Sequence, residues 1–154
     1  MTVSASWCPA RRARGAVVFE GFRTLYAGPY LAYARVHLGP RRGPDAVERA
    51  FGALVRHWLR IVGSSNPAVA AWEQLVAHTG SRVRPLPLAA RSPLEYDAIV
   101  LHHLLGYSVA RTADITGHHP SKIGYLARTR PPTAARPARP AAESAPDEPP
   151  PDGS

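Results

Sequence analysis

Proline and glycine divide the first 130 residues of this chain into short stretches, and most of these stretches have the period of an amphipathic helix. None of them shows the sustained alternation of apolar and polar residues that is typical of a strand. Several breakers also lie beside helix-capping residues, because Ser, Asp and Asn cap helices and proline is tolerated in a first turn. The sequence therefore predicts an all-α protein.

Two helices are predicted before Gly63. The earlier one covers about Val18 to Leu38, and we expect Pro29 to kink or split it because proline lacks a backbone N–H group. The next one begins at Asp45, which forms a capping-box pattern with Glu48, and it ends at Gly63.

A third helix starts at Asn66-Pro67 and completes a helical bundle over residues 17–78. Phe51 and Trp72 share helix faces with other apolar residues, so we predict that both lie in the core. Residues 79–91 contain two prolines and show no stable period, which indicates a linker.

The pattern of residues 92–130 is typical of a helix-turn-helix unit. Ala113 is the small residue expected where the two helices cross, and Gly117 suits the left-handed turn. Ile123 is the predicted inner anchor of the second helix. The helices are expected over about Ser92 to Leu105, Val109 to Thr116 and Pro120 to Arg130.

Charge is distributed unevenly along the chain. The net charge is +8, and all but one of the 19 basic residues are arginine, which stays charged in any environment. Residues 131–154 hold 8 of the 17 prolines and a charge of −2, and they predict a disordered Pro/Ala-rich tail. Residues 1–130 therefore carry +10, with a basic arm at 1–16. This charge indicates an anionic partner, with nucleic acid ahead of an acidic membrane or protein.

Composition excludes several classes of protein. No apolar run is long enough to span a membrane or to form a signal-peptide core. Cys8 is the single cysteine, which excludes an internal disulfide and a cysteine-cluster metal site and favours a cytoplasmic setting. The histidine pairs lack a zinc-ligand pattern, and no catalytic arrangement is evident, so we expect no metal, no cofactor and no enzymatic activity.

Donor-rich side chains lie on the predicted outer face of the last helix and at its ends. Such side chains reach phosphates and base edges in a major groove. The predicted DNA-binding residues are His119, Ser121, Lys122, Tyr125, Arg128 and Arg130.

Two motifs in the chain resemble those of extracytoplasmic-function RNA polymerase sigma factors. Residues 106–117 (GYSVARTADITG) are similar to the family's G-hydrophobic-S-x-x-x-x-A-x-x-x-G stretch in its promoter-binding domain. Phe22 and Tyr26, followed by residues 45–51 (DAVERAF), are similar to the core-polymerase-binding helix. The resemblance covers residues 19–130.

The resemblance implies a sigma region 2-like bundle followed by a region 4-like helix-turn-helix. Asp45, Glu48 and Arg49 would contact core RNA polymerase, and the last helix would bind the minus-35 element of promoter DNA. An anti-sigma protein is an optional further partner.

The chain departs from the family in the segment that melts promoters. Between Arg60 and Arg82 there is no arginine, and the aromatic residue Trp72 lies in an apolar helix. The alternative hypothesis is therefore a DNA-binding or adaptor protein that keeps the sigma-like architecture without promoter melting. The family usually has an aliphatic residue at His118, and Gly124 weakens the last helix.

Overall fold

A computed structural model of the protein describes residues 9–128, with side chains from residue 13 onward. Within this range the secondary structure is helical and contains no strand, which confirms the all-α class. The helices are α1 (Pro9–Arg56), α2 (Trp58–Val62), α3 (Pro67–Thr79), α4 (Pro93–Ala98), α5 (Val109–Thr116) and α6 (Pro120–Ala127), with a π-helical segment at Ile99–Leu104. The tail at 131–154 and residues 1–8 of the basic arm lie outside the described residues, and residues 9–16 belong to α1.

α1 is much longer than predicted and is interrupted at a different residue. The prediction for Pro29 to split the helix is wrong, because the backbone outside Gly39 keeps helical angles. The interruption lies at Gly39, whose φ of 82° and ψ of 177° are readily adopted only by glycine. We call residues 9–38 the first arm of α1 and residues 40–56 its second arm.

The predicted helix start at Asp45 is also wrong. The second arm begins directly after Gly39, so Asp45 lies inside the helix and does not cap it. Pro40 fits this earlier start, since its fixed φ suits a first helical residue whose N–H group has no partner in the helix. Glu48 does not complete a capping box, because its carboxylate pairs with Arg23 instead.

The capping predictions after residue 63 are confirmed. Gly63 ends α2, and the side chain of Asn66 accepts a hydrogen bond from the backbone N–H of Val69. Ser92 and Ser108 cap α4 and α5 in the same way, accepting from the residues three positions later. α6 ends earlier than predicted, at Ala127.

Aromatic side chains from α1, α2 and α3 form the centre of the main hydrophobic core, and Phe51 and Trp72 are buried within it as predicted. The same core contains Tyr96, Leu101 and Ile115 from the helix-turn-helix unit. Leu86 and other apolar residues of the predicted linker pack against it. The N-terminal bundle and the C-terminal unit therefore share one continuous core.

No helix among residues 9–128 has both the length and the apolar composition that crossing a membrane requires.

Candidate nucleic-acid interface

α5, the turn and α6 form a closely packed pair of helices. Gly117 adopts the left-handed conformation, with φ of 76°, and its N–H donates to the carbonyl of Ala113 at 2.9 Å. Ala113 and Ile123 are buried together with Ala98 in a second, smaller core. The left-handed turn at Gly117 and the burial of Ala113 and Ile123 are as predicted.

The outward face of α6 is polar and exposed. Ser121, Lys122 and Arg128 are exposed, and Tyr125 has 72% of its surface accessible. Lys122, Tyr125 and Arg128 follow one another at intervals of three residues, which places these side chains along one side of the helix, and Ser121 lies four residues before Tyr125. Arg130, the last predicted contact, lies outside the described residues.

His119 has a structural task that the sequence reading missed. Its side chain caps α6, because Nδ1 accepts a hydrogen bond from the backbone N–H of Ser121 at 3.2 Å. His119 is nevertheless exposed beside the predicted DNA-binding face. Its neighbour His118 is half-buried, and burial followed by the charge of Lys122 lowers its pKa, which favours a neutral imidazole.

The predicted polymerase-binding residues lie together on the second arm of α1. Asp45, Glu48 and Arg49 are all exposed. Glu48 is held by Arg23, whose Nη2 donates to both carboxylate oxygens at 2.8 and 2.9 Å. Neither Asp45 nor Arg49 has an ion pair within residues 9–128.

The helix-turn-helix is docked on the N-terminal bundle by polar contacts that the sequence did not reveal. The hydroxyl of Tyr26 donates to Asp114 at 2.9 Å, and burial, followed by this hydrogen bond, raises the pKa of Tyr26 to about 12. The side chain of Asn66 donates to the carbonyl of Gly117 at 2.7 Å. A Cβ at Gly117 would lie only 2.5 Å from the backbone nitrogen of Val69, so the turn requires glycine for space as well as for conformation.

A further contact explains how α1 tolerates Pro29. Proline has no N–H group, so the carbonyl four residues earlier, that of Leu25, loses its partner within the helix. Nη2 of Arg111, on α5, donates to this carbonyl at 2.7 Å. An ion pair with Asp114 holds Arg111 in this position. The guanidinium carbon of Arg111 also lies over the ring of Tyr26, 5.4 Å from its centre.

Asp97 is the centre of a buried polar network that the sequence did not reveal. Its carboxylate is almost fully buried and accepts hydrogen bonds from Tyr33 and from the indole of Trp72, both at 2.8 Å. Arg82 donates to both oxygens, at 2.8 and 2.6 Å. A buried carboxylate needs such pairing, and the network joins α1, α3, the predicted linker and α4. The signal available in the sequence was an acidic residue directly before the apolar run Ala98 to Leu101.

The paired histidines bind backbone carbonyls. The ring of His102 is hydrogen-bonded to the carbonyl of Tyr107, and that of His103 to the carbonyl of Ala127, both at 2.7 Å. Over the described range, no group of three or more His, Cys, Asp or Glu side chains has the arrangement of a metal site.

Comparison of the chain with protein-family models, with curated proteins and with solved structures finds no match. The likeness of residues 19–130 to sigma factors therefore stays a prediction from the two motifs. The candidate interface is defined by the exposed polar residues of α6 described above.

Proposed function

We propose that this protein is a sigma-like transcription protein that binds promoter DNA through the outward face of α6. One observation carries the proposal. Lys122, Tyr125 and Arg128 lie on one exposed face of the helix, and Ile123 on the opposite face is fully buried. α6 follows a tight turn, as a recognition helix does, and its first residues would approach the base edges.

The size and charge of α6 support this role. An α-helix with its side chains is about 10–12 Å in diameter, so α6 can enter a major groove of about 12 Å width. Lys122 and Arg128 have no ion pair within residues 9–128, so both cations are available to phosphates. Tyr125 adds an exposed ring and hydroxyl between them.

Binding to core RNA polymerase is the second part of the proposal, and it rests on the sigma-like motif at residues 45–51. The exposure of Asp45 and Arg49, four residues apart on α1, supports a polar docking surface there. Because Glu48 is paired with Arg23, it would contact polymerase either while keeping this ion pair or after breaking it.

One observation favours the alternative of a non-initiating DNA-binding protein. Trp72 has 1% of its surface exposed, and its indole N–H is bonded to Asp97, so it is not available to capture a base flipped from the DNA. Run-off transcription with purified core polymerase separates the two functions. Specific transcripts would support initiation, whereas polymerase binding without transcripts would support the alternative.

DNA binding is tested by reversing two charges on α6. In the full chain, Lys122→Glu with Arg128→Glu should weaken binding to a duplex at least roughly 10-fold at low salt, and should reduce the slope of log affinity against log salt by about 2. Fluorescence anisotropy across a salt series measures both quantities, and circular dichroism checks folding.

The matched control is Arg56→Glu with Arg60→Glu, which changes the net charge equally on exposed positions of α1 and α2. The control should retain most of the affinity. Equal losses in the two double variants would mean that net charge alone governs binding, and α6 would not be the recognition helix.

A further inference from the structure

A cavity of about 470 Å³ lies where the interruption of α1, the C-terminal end of α3 and the loop after α3 meet. Its volume is in the range of small-molecule sites. It lies apart from the helix-turn-helix, since α5 and α6 contribute no lining residue. The lining residues are His37, Leu38, Arg42, Arg49, Ala77, His78, Thr79, Gly80, Val83 and Arg84.

The cavity has a concentrated positive charge. Arg42, Arg49 and Arg84 line it, and all three are exposed. No carboxylate is among the lining residues. Within residues 9–128 the ion pairs of the structure involve Arg23, Arg82 and Arg111 and none of these three.

The other polar groups of the cavity do not neutralise this charge. Nδ1 of His37 and Nδ1 of His78 are each hydrogen-bonded to a carbonyl of their own helix, at 2.8 and 2.7 Å. The C-terminal end of α3 contributes about half a negative charge at most, against three full positive charges. Cationic groups in a concave site focus the field and raise the local concentration of anions.

We propose that this cavity binds a compact polyphosphate, meaning a small molecule with two or more linked phosphoryl groups. A guanidinium group donates two parallel hydrogen bonds to phosphate oxygens, and three such groups around one cavity suit an anion of several charges. Val83 lines the cavity with 82% of its surface exposed, and it offers an apolar contact to a base or hydrocarbon attached to the phosphates. A rigid duplex cannot enter a cavity of this volume, which favours a small ligand over DNA.

The site is independent of DNA binding by α6, although Arg49 also belongs to the surface expected to contact polymerase. A variant that no longer binds polyphosphate could therefore still bind DNA, and a variant that no longer binds DNA could still bind polyphosphate. Charge reversal on α6 should leave polyphosphate binding unchanged.

Isothermal titration calorimetry of the full chain with sodium tripolyphosphate, in Mg²⁺-free buffer, tests the proposal. We expect one site per chain, weaker binding of pyrophosphate and still weaker binding of orthophosphate. Arg42→Ala with Arg84→Ala should weaken tripolyphosphate binding roughly 10-fold or more, because hydrogen bonds between charged groups are lost. Arg56→Ala with Arg60→Ala removes the same charge outside the cavity and should bind like the wild type.

Four results would overturn the proposal. Three concern phosphate binding: no binding of tripolyphosphate at low salt, equal weakening in both double variants, and equal affinity for orthophosphate and tripolyphosphate. The comparison requires that the Arg42→Ala/Arg84→Ala variant is folded, which circular dichroism checks. If that variant does not fold, the same comparison is made with Arg42→Gln/Arg84→Gln. The fourth result concerns DNA. If the Arg42/Arg84 double variant loses binding of a short duplex to the same extent as it loses binding of tripolyphosphate, the cavity residues contact a nucleic-acid backbone, and the proposal is wrong.

Discussion

Replacement of Arg111 by alanine should destabilise the protein mainly because it removes the partner of the Leu25 carbonyl. That carbonyl lacks its usual helical partner because residue 29 is proline, and Arg111 donates to it at 2.7 Å. A hydrogen bond from a charged donor contributes about 1.5–3 kcal/mol. The side chain of Arg111 is 33% exposed, so we expect the low end, about 1–2 kcal/mol.

A double-mutant cycle with Pro29→Ala isolates this contribution. Alanine at position 29 restores a backbone N–H that can bond to the Leu25 carbonyl, so Arg111→Ala should cost about 1–2 kcal/mol less in that background. The ion pair of Arg111 with Asp114 and its contact with Tyr26 are present in both backgrounds and cancel. Urea unfolding followed by tryptophan fluorescence gives the four free energies of unfolding.

Asp114→Ala is the control for the cycle. It removes the ion pair and the Tyr26 hydrogen bond but leaves a guanidinium group that can still donate to the Leu25 carbonyl, so its coupling to Pro29→Ala should be smaller than that of Arg111→Ala. A coupling between Arg111 and Pro29 that is no larger than this control would refute the explanation of how α1 accommodates its proline.

Two further predictions concern stability. Gly124→Ala should stabilise the protein by up to about 1 kcal/mol, because the added Cβ would lie 3.6 Å from Val109, an ordinary contact. Gly117→Ala should destabilise it by roughly 2 kcal/mol or more, since it combines a positive φ with a backbone clash; thermal unfolding of both variants checks the pair, and equal shifts would contradict it. Burial lowers the pKa of His37 below its usual 6.5, so the native state binds fewer protons and stability should fall as the pH drops below 6.5. His37→Gln should flatten this dependence in urea unfolding between pH 5 and 7, and an unchanged slope would exclude His37 as its source.

Local signals along the chain were enough to predict the all-α class and most helix ends after residue 63. Asn66, Ser92 and Ser108 cap helices where the sequence predicted them, and Gly117 forms the turn. These features succeed because a cap or a left-handed glycine acts within about four residues and depends little on distant contacts. The exposed face of α6 was predictable for the same reason, since helical spacing alone separates Ile123 from Lys122 and Tyr125.

Long-range contacts decided the remainder. Pro29 is accommodated inside a helix because Arg111 of α5, 86 positions after Leu25 in the chain, donates to the Leu25 carbonyl that the proline leaves without a helical partner. Asp97 is surface-like by composition, and only the convergence of Tyr33, Trp72 and Arg82 makes its burial possible. The sequence by itself determined the all-α class, most helix ends after residue 63 and which residues of α6 are exposed. The tertiary structure decided how the two units share a core and where three arginines meet at one cavity, because both depend on side chains that are distant in the chain and adjacent in space.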